Sequence, residues 1–571
     1  MNKFKSICTD VHTLNKRHLH YIYTDRQTGI IEDEKIFQYR EVTFRFAGTG
    51  FRTPEQTVLF VFVPEQILPG GYTAISHKTA YEDYLLRLLA VPVNALSDGL
   101  QNEQKDAREK AAFSMQTPGA VVQGRNGCIY VEEKQAFRLR ISFRFPLING
   151  TGIHGKGSYK GIKLLLDTIC DLLSGLDREA FGEHIEVYAR QLVIRRFLKK
   201  NHLLAFVADG SILPRQGDTD SPLEGAVPFQ TPPGLQVNIP MPDGGIMTGM
   251  GLRRGITIIT GGGYSGKSTL LDALEQGIYF HVKGDGREYV IMDETACKIY
   301  AEDGRYIPPM DISPFFSYMP GKDRHNFRTL HASGSVSQAA NIIEAVYGGC
   351  RCLLIDEDTS ATNFMIRDEG MRRLVKKEPI VPYTDRIEEL KAKGVSTILV
   401  IGGSSEYLKF GDCILLLEDY CVYDKTEEVC QNSKKLSAAG GKDAIDEAFS
   451  WTEKKYLPNI AQGKEFYCSQ CVQIENARYI KIDDHVADIT RLTAVVTGGQ
   501  INSLTWLLEK LLTEKGGEEN DLNVRCRRAV EELFSESMDV VLSSHAHKYE
   551  LCMEQVRSLD LLMAACRMRN L

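Results

Sequence analysis

Four short apolar runs, at 256–260, 352–355, 397–401 and 413–417, recur along the middle of the chain between longer amphipathic stretches. Runs of this length without polar alternation predict strands buried on both faces, and the helical stretches between them predict a parallel sheet. The segment from Phe137 to Phe145 behaves differently. Its apolar residues alternate with Arg138, Arg140 and Arg144, which predicts a strand with one apolar and one basic face. Further β-rich stretches lie at 42–46 and 58–63, a helical piece at 81–88, amphipathic helices at 161–173 and 178–200, and a strand at 203–207. Asp285-Gly286 and Asp303-Gly304 predict turns between short antiparallel strands that flank the parallel sheet. Beyond 430 the pattern turns mostly helical, at 502–512, 524–534 and 549–568. The expected organisation is an α+β region over 1–135, a strand and amphipathic helices over 136–200, an α/β core over 201–430 and a mostly helical domain over 431–571. A polar span at 96–110 reads as a linker or exposed helix, and a Pro/Gly-rich segment at 214–251 leads into the core.

The first of the four strands runs directly into Gly261-Gly262-Gly263-Tyr264-Ser265-Gly266-Lys267-Ser268-Thr269. Gly261, four residues, then Gly266-Lys267-Ser268 is the spacing of a phosphate-binding loop. Its glycines let backbone N–H groups turn inward on a β-phosphate, the Lys267 ammonium meets β- and γ-phosphates, and the Ser268 hydroxyl ligates Mg²⁺. Helical sequence follows at once, so a helix N-terminus adds its partial positive charge. The second strand ends in Asp356-Glu357-Asp358. There Asp356 would hold the same Mg²⁺ through water, and Glu357 would orient or deprotonate an attacking water.

Between these two lies Ser333-Gly334-Ser335-Val336-Ser337-Gln338, opening a stretch of helical spacing. A Ser-Gly-Ser turn at a helix start can present hydroxyl and N–H groups to an anion, although an N-cap at Ser333 or Ser335 without a ligand accounts for the same residues.

Taken with Gly284-Asp-Gly-Arg-Glu288, Glu302-Asp-Gly-Arg305, the run Asp356 to Asp368, Val400-Ile-Gly-Gly403 and the run Ala205 to Arg215, these motifs make the chain resemble the predicted ABC-class ATPases, from about residue 140 to 430. The resemblance implies a P-loop NTPase core of ABC type, ATP and Mg²⁺ as ligands, and a homodimer. In that homodimer Ser333, Gly334, Ser335 and Gln338 of one copy cover the nucleotide held by residues 261–269 of the other, with Lys267 and Glu357 carrying the chemistry. Thr359-Ser360-Ala361-Thr362-Asn363 stands where the D-loop of that class falls. Several positions depart from the pattern. Ser265 replaces a customary His, and Gly402-Gly403-Ser404-Ser405 occupies the place of the switch histidine, so sensing of a γ-phosphate there falls to a hydroxyl or backbone N–H. No Q-loop glutamine stands near 311–315, and no aromatic residue stands about 25 positions before Lys267 to stack on adenine. The short spacing to Ser333 leaves no room for the helical subdomain that docks transporters onto membrane helices. Slow hydrolysis is the expectation.

Composition narrows the setting. The 571 residues are 43% apolar and 25% charged with a net charge of −7, which argues against bulk attraction to nucleic acid or anionic lipid. No apolar run approaches the 18 or so residues of a membrane span, and the start carries no apolar signal core, so a cytoplasmic location without a membrane partner is expected. The fourteen cysteines sit mostly in apolar contexts and read as reduced thiols; Cys468 and Cys471 form a lone CxxC lacking the second pair of a zinc site. Arg190, Arg195, Arg196, Lys199 and Lys200 cluster at the end of the 178–200 helix. Either they complement a helix C-terminus, or with the arginine strand they form a basic groove for RNA or another single strand, stacking on Phe143 or Phe197. The alternative output is a regulatory module with a protein client. A metabolic kinase fits poorly beside the Ser-Gly-Ser motif.

Overall fold

A computed structural model describes residues 1–9, 13–14, 35–46, 56–69, 77–102, 110–148, 152–436, 469–474, 477–513, 521–535 and 552–569. The chain divides into two compact units: residues 1–188 with 497–502 and 533–555, and residues 189–496 with 503–532 and 556–571. Segments from the last seventy-five residues are divided between the two units.

In the first unit, strands pair antiparallel in the order Phe37–Tyr39, Val42–Phe46, Gln56–Pro64, Ala136–Arg144, Ala112–Ser114, with Cys128–Val131 also on Ala136–Arg144. Phe4, Phe37, Phe44, Phe46, Phe143 and Phe145 interlock on one face of this sheet. The helix Lys78–Asn102 runs through Pro92 and past the expected linker start, burying Ser97. The arginine face of the Ala136–Arg144 strand is buried as well: Arg138 is 2% and Arg140 3% exposed. Alternation announced two faces without revealing that both are covered. Arg138 lies over the Phe60 ring, and burial pulls its pKa down to about 10.

The second unit is built on a six-stranded sheet in the order Cys297–Ile299, Cys352–Asp356, Ser396–Val400, Ile256–Gly261, Cys413–Glu418, Cys421–Asp424. All neighbours run parallel except the closing hairpin. All four expected buried strands are in it, matching their expected bounds to within two residues. The antiparallel sheet Gln236–Pro240, Ile246–Arg253, Leu203–Ala208, Val290–Met292 flanks it, with Gly286 and Gly304 at positive φ in the expected turns. The core joins Leu204, Met250, Ile259, Leu270, Leu274, Leu354, Ile398 and Leu415.

Past residue 430 the helices Gly498–Thr513, Leu522–Ser535 and Ser558–Ala565 are joined by a sheet the hydropathy pattern did not announce. Its strands are Ser469–Ile474, Ala477–Ile482, His485–Asp488 and Met568–Arg569, all antiparallel. Cys468 lies outside the described residues. Among the described residues, no group of three or more His, Cys, Asp or Glu could hold a metal ion, and no helix is long and apolar enough to cross a membrane.

Candidate functional site

The Ile256–Gly261 strand ends where the phosphate loop begins, and the helix Lys267–Gln276 starts where it ends. Two glycines turn the chain: Gly261 at φ +148° and Gly266 at φ +98°. A Cβ on Gly261 would lie 2.3 Å from the Leu417 carbonyl oxygen, so only glycine fits there. Gly262 and Gly263 face open space. Tyr264 adopts φ +59° with its side chain 99% exposed, an unusual conformation for an aromatic residue. Ser265 is buried under the loop with a hydroxyl that has no hydrogen-bond partner. The Lys267 ammonium arches over the loop and donates to the carbonyls of Gly261 at 2.9 Å and Gly262 at 2.7 Å. Ser268 and Thr269 occupy the first turn of the helix, where its free N–H groups gather.

The Cys352–Asp356 strand delivers its terminal carboxylates beside this turn. Asp356 Oδ2 lies 3.5 Å from Ser268 Oγ. Burial raises the Asp356 carboxyl above its ordinary pKa, against the Asp358 N–H that donates to it at 3.2 Å. This hydroxyl and, through a water, this carboxylate are close enough to serve one Mg²⁺, whose preference is for oxygen ligands.

Glu357 is half-buried, and its Oε2 accepts N–H bonds from Gly402 at 2.8 Å and Gly403 at 3.1 Å. The turn standing in place of a switch histidine thus grips the carboxylate next to the metal site. Sequence reasoning located both segments without joining them; they are 45 residues apart.

The helix Gly334–Tyr347 opens at Ser333, which is exposed and makes no side-chain cap. Ser335 is buried, its hydroxyl donating to Asn363 Oδ1 at 2.8 Å. Gln338, expected at the nucleotide, is fully buried. Its amide donates to Ser360 Oγ at 2.9 Å and accepts from the Ala361 N–H at 2.8 Å, so its side chain ties this helix to the loop after Asp356 and does not reach the surface. Behind the helix Arg305 pairs with Glu344, and Arg567 donates to Glu302 at 2.6 Å and Asn341 at 2.7 Å. All these arginines and their partners are buried or nearly so.

Within the basic cluster at 190–200, three of the five residues are engaged, while Arg196 and Lys200 are exposed. Arg190 pairs with Asp243 at 2.7 Å, Lys199 with Glu294 at 2.8 Å, and Arg195 donates to the Ile278 carbonyl while lying over the Phe280 ring. Arg138 and Arg140 are buried, so the arginine strand does not offer the open basic face expected of a nucleic-acid groove. The physical reason is that Arg190 found a carboxylate, Arg195 a carbonyl and a ring, and Arg138 a ring.

A glycine-rich loop between a parallel strand and a helix, with a strand-end Asp against the loop's Ser, defines a P-loop nucleoside-triphosphate site. The family model ABC_ATPase: P-loop domain matches residues 177–454, just under half of the chain, and that stretch carries a P-loop domain of the ABC_ATPase type. An uncharacterized protein of Methanocaldococcus jannaschii is 28% identical over 287 residues, 46% of this chain. The match spans 62% of that relative's length. Among solved structures, an ATP-binding cassette of an ABC transporter in its ADP conformation matches with 12% identity over 40% of this chain and 94% of its own, at a TM-score of 0.25. CbiO1 from Clostridium perfringens, part of the ABC transporter complex cbiONQ, matches with 14% identity over 41% and 93%, also at 0.25.

Proposed function

We propose that the chain is a soluble, cytoplasmic ATPase that works as a homodimer, with two MgATP molecules each held between residues 261–269 of one copy and Ser333-Gly334-Ser335 of the other. The observation that carries this reading is that Lys267 arches over the phosphate loop while Asp356 stands beside Ser268 at its end. The Lys267 ammonium and the backbone N–H groups of 262–268 would bind the phosphates, and Ser268 with Asp356 would hold Mg²⁺. A Mg²⁺ held there would supply charge neutralisation to the phosphates. Glu357, aimed by Gly402 and Gly403, would orient the attacking water and take its proton. Exposed Ser333 is the group free to reach a neighbouring copy, while Ser335 and Gln338 hold the turn in shape.

Closing and reopening this sandwich would switch the flanking parts of the chain, at a turnover below the roughly 10 per second of a median enzyme. Neutralisation of Arg190, Arg195 and Lys199 favours a protein client over RNA as the output. The test is Glu357→Gln in MgATP. Light scattering should report a stable dimer, and a monomer under those conditions removes the sandwich. Replacing Lys267 by Ala should abolish ATP binding in calorimetry, and retained affinity removes the loop from the account.

A further inference from the structure

Resting on that reading, we infer that this chain holds the purine base of its nucleotide in an apolar pocket of its own making, walled by residues 213–229 and capped by Tyr420. A cavity of about 280 Å³ opens beside the phosphate loop. Gly266, Thr269 and Leu270 of the loop and first helical turn form its floor, so it is continuous with the phosphate site. Leu213, Leu223, Val227 and Phe229 form one wall, and Leu417 and Val422 the other. Its volume lies just under the roughly 300–1,000 Å³ of ligand pockets, which suits one flat ring system.

Tyr420 is the second, independent observation. It sits with Asp419 in the two-residue turn that joins Cys413–Glu418 to Cys421–Asp424, paired across Glu418 and Cys421. Both turn residues have positive φ, +48° and +65°. Such a turn favours Asn or Asp followed by Gly, and an aromatic side chain in the second position carries a Cβ penalty that Gly avoids. The ring gains little burial in exchange, being 61% exposed. Its Cδ1 approaches within 3.4 Å of where a Cβ on Gly266 would be, so it stands at the junction of pocket and phosphate loop. A strained, exposed ring at the lip of an apolar slot serves stacking better than it serves folding. The side chains lining the slot offer only the Thr269 and Tyr420 hydroxyls as polar groups, so the base is gripped by its faces.

The test compares MgATP with inorganic triphosphate plus Mg²⁺ by calorimetry, using the full chain. Tyr420→Ala should weaken ATP binding by about five- to a hundredfold, the range for losing one aromatic–base stack, with triphosphate affinity within twofold of wild type. Tyr420→Phe should restore ATP binding. Val227→Asp, at a 46% exposed wall position, should weaken ATP binding in the same selective way. ATP affinity within twofold of wild type in both Tyr420→Ala and Val227→Asp overturns the base pocket. Failure of the underlying P-loop reading looks different: Lys267→Ala would then bind both ligands as well as wild type.

Discussion

Replacing Gly261 by Ala should damage the fold of the second unit, whereas the same change at Gly262 or Gly263 should leave it intact. At Gly261 the new Cβ would stand 2.3 Å from the Leu417 carbonyl oxygen and 2.9 Å from Ser265 Oγ, at φ +148°. Gly261 is registered against Leu417 in the parallel pair, so that carbonyl cannot retreat without parting two central strands. Overpacking costs about 1–3 kcal/mol and a non-glycine residue in that backbone region about another 1–3, for a total of roughly 2–6 kcal/mol. Gly262 and Gly263 have nothing within 4 Å of an added Cβ, and alanine there also reduces the freedom of the unfolded chain, a gain of up to about 1 kcal/mol. Hydrogen exchange on peptides covering Ile256–Gly261 and Cys413–Glu418, without nucleotide, separates the cases. Gly261→Ala should exchange far faster in both strands and melt several degrees lower. Equal protection in Gly261→Ala and Gly263→Ala would refute the argument that this contact fixes the strand-to-loop junction.

Three further outcomes follow from the geometry. Glu357→Gln should slow phosphate release by about 10²–10⁴-fold with ATP affinity retained, since the amide oxygen can still accept from Gly402 and Gly403; a loss under tenfold would remove Glu357 as the general base. Gln338→Leu leaves the Ala361 N–H without its acceptor, costing about 1–3 kcal/mol, and should speed hydrogen exchange at 357–365; unchanged protection there would show the tie to be idle. In the first unit, burial pushes the Glu82 carboxyl up to about 7, against the opposing pull of Lys78 and the Tyr130 N–H. The folded form therefore keeps a proton that the unfolded chain, near 4.3, releases. This group's contribution is complete below about pH 4 and is lost as pH rises through about 7, on the order of 3 kcal/mol at most. Denaturant midpoints should fall from pH 5 to 8 in wild type and fall less in Glu82→Gln; parallel curves would refute the assignment.

The parallel core was legible because strands buried on both faces appear as unbroken apolar runs, and the phosphate loop because its chemistry is contiguous in sequence. Much of the remainder depends on contacts between distant residues. The sheet at 469–488 was hidden by charged residues in its strands and by a tight turn at Asp483, φ +47°, and its last strand arrives from 568–569. The grip of Gly402 and Gly403 on Glu357 joins segments whose relation only the sheet order reveals. Arg138 and Arg140 looked like an open basic face because alternation reports the number of faces and not what covers each. Tyr420 carried a turn signal through Asp419 alone.

The cluster of Arg305, Glu344, Arg567, Glu302 and Asn341 makes the signature helix answerable to residues more than two hundred positions downstream. A chain that stops short of 567 would leave Glu302 charged in a dry interior opposite a missing guanidinium, a situation worth about 3–5 kcal/mol when a buried pair is broken. During synthesis, then, the helix Gly334–Tyr347 can reach its final packing only after residue 567 has left the ribosome, more than two hundred residues after the helix itself.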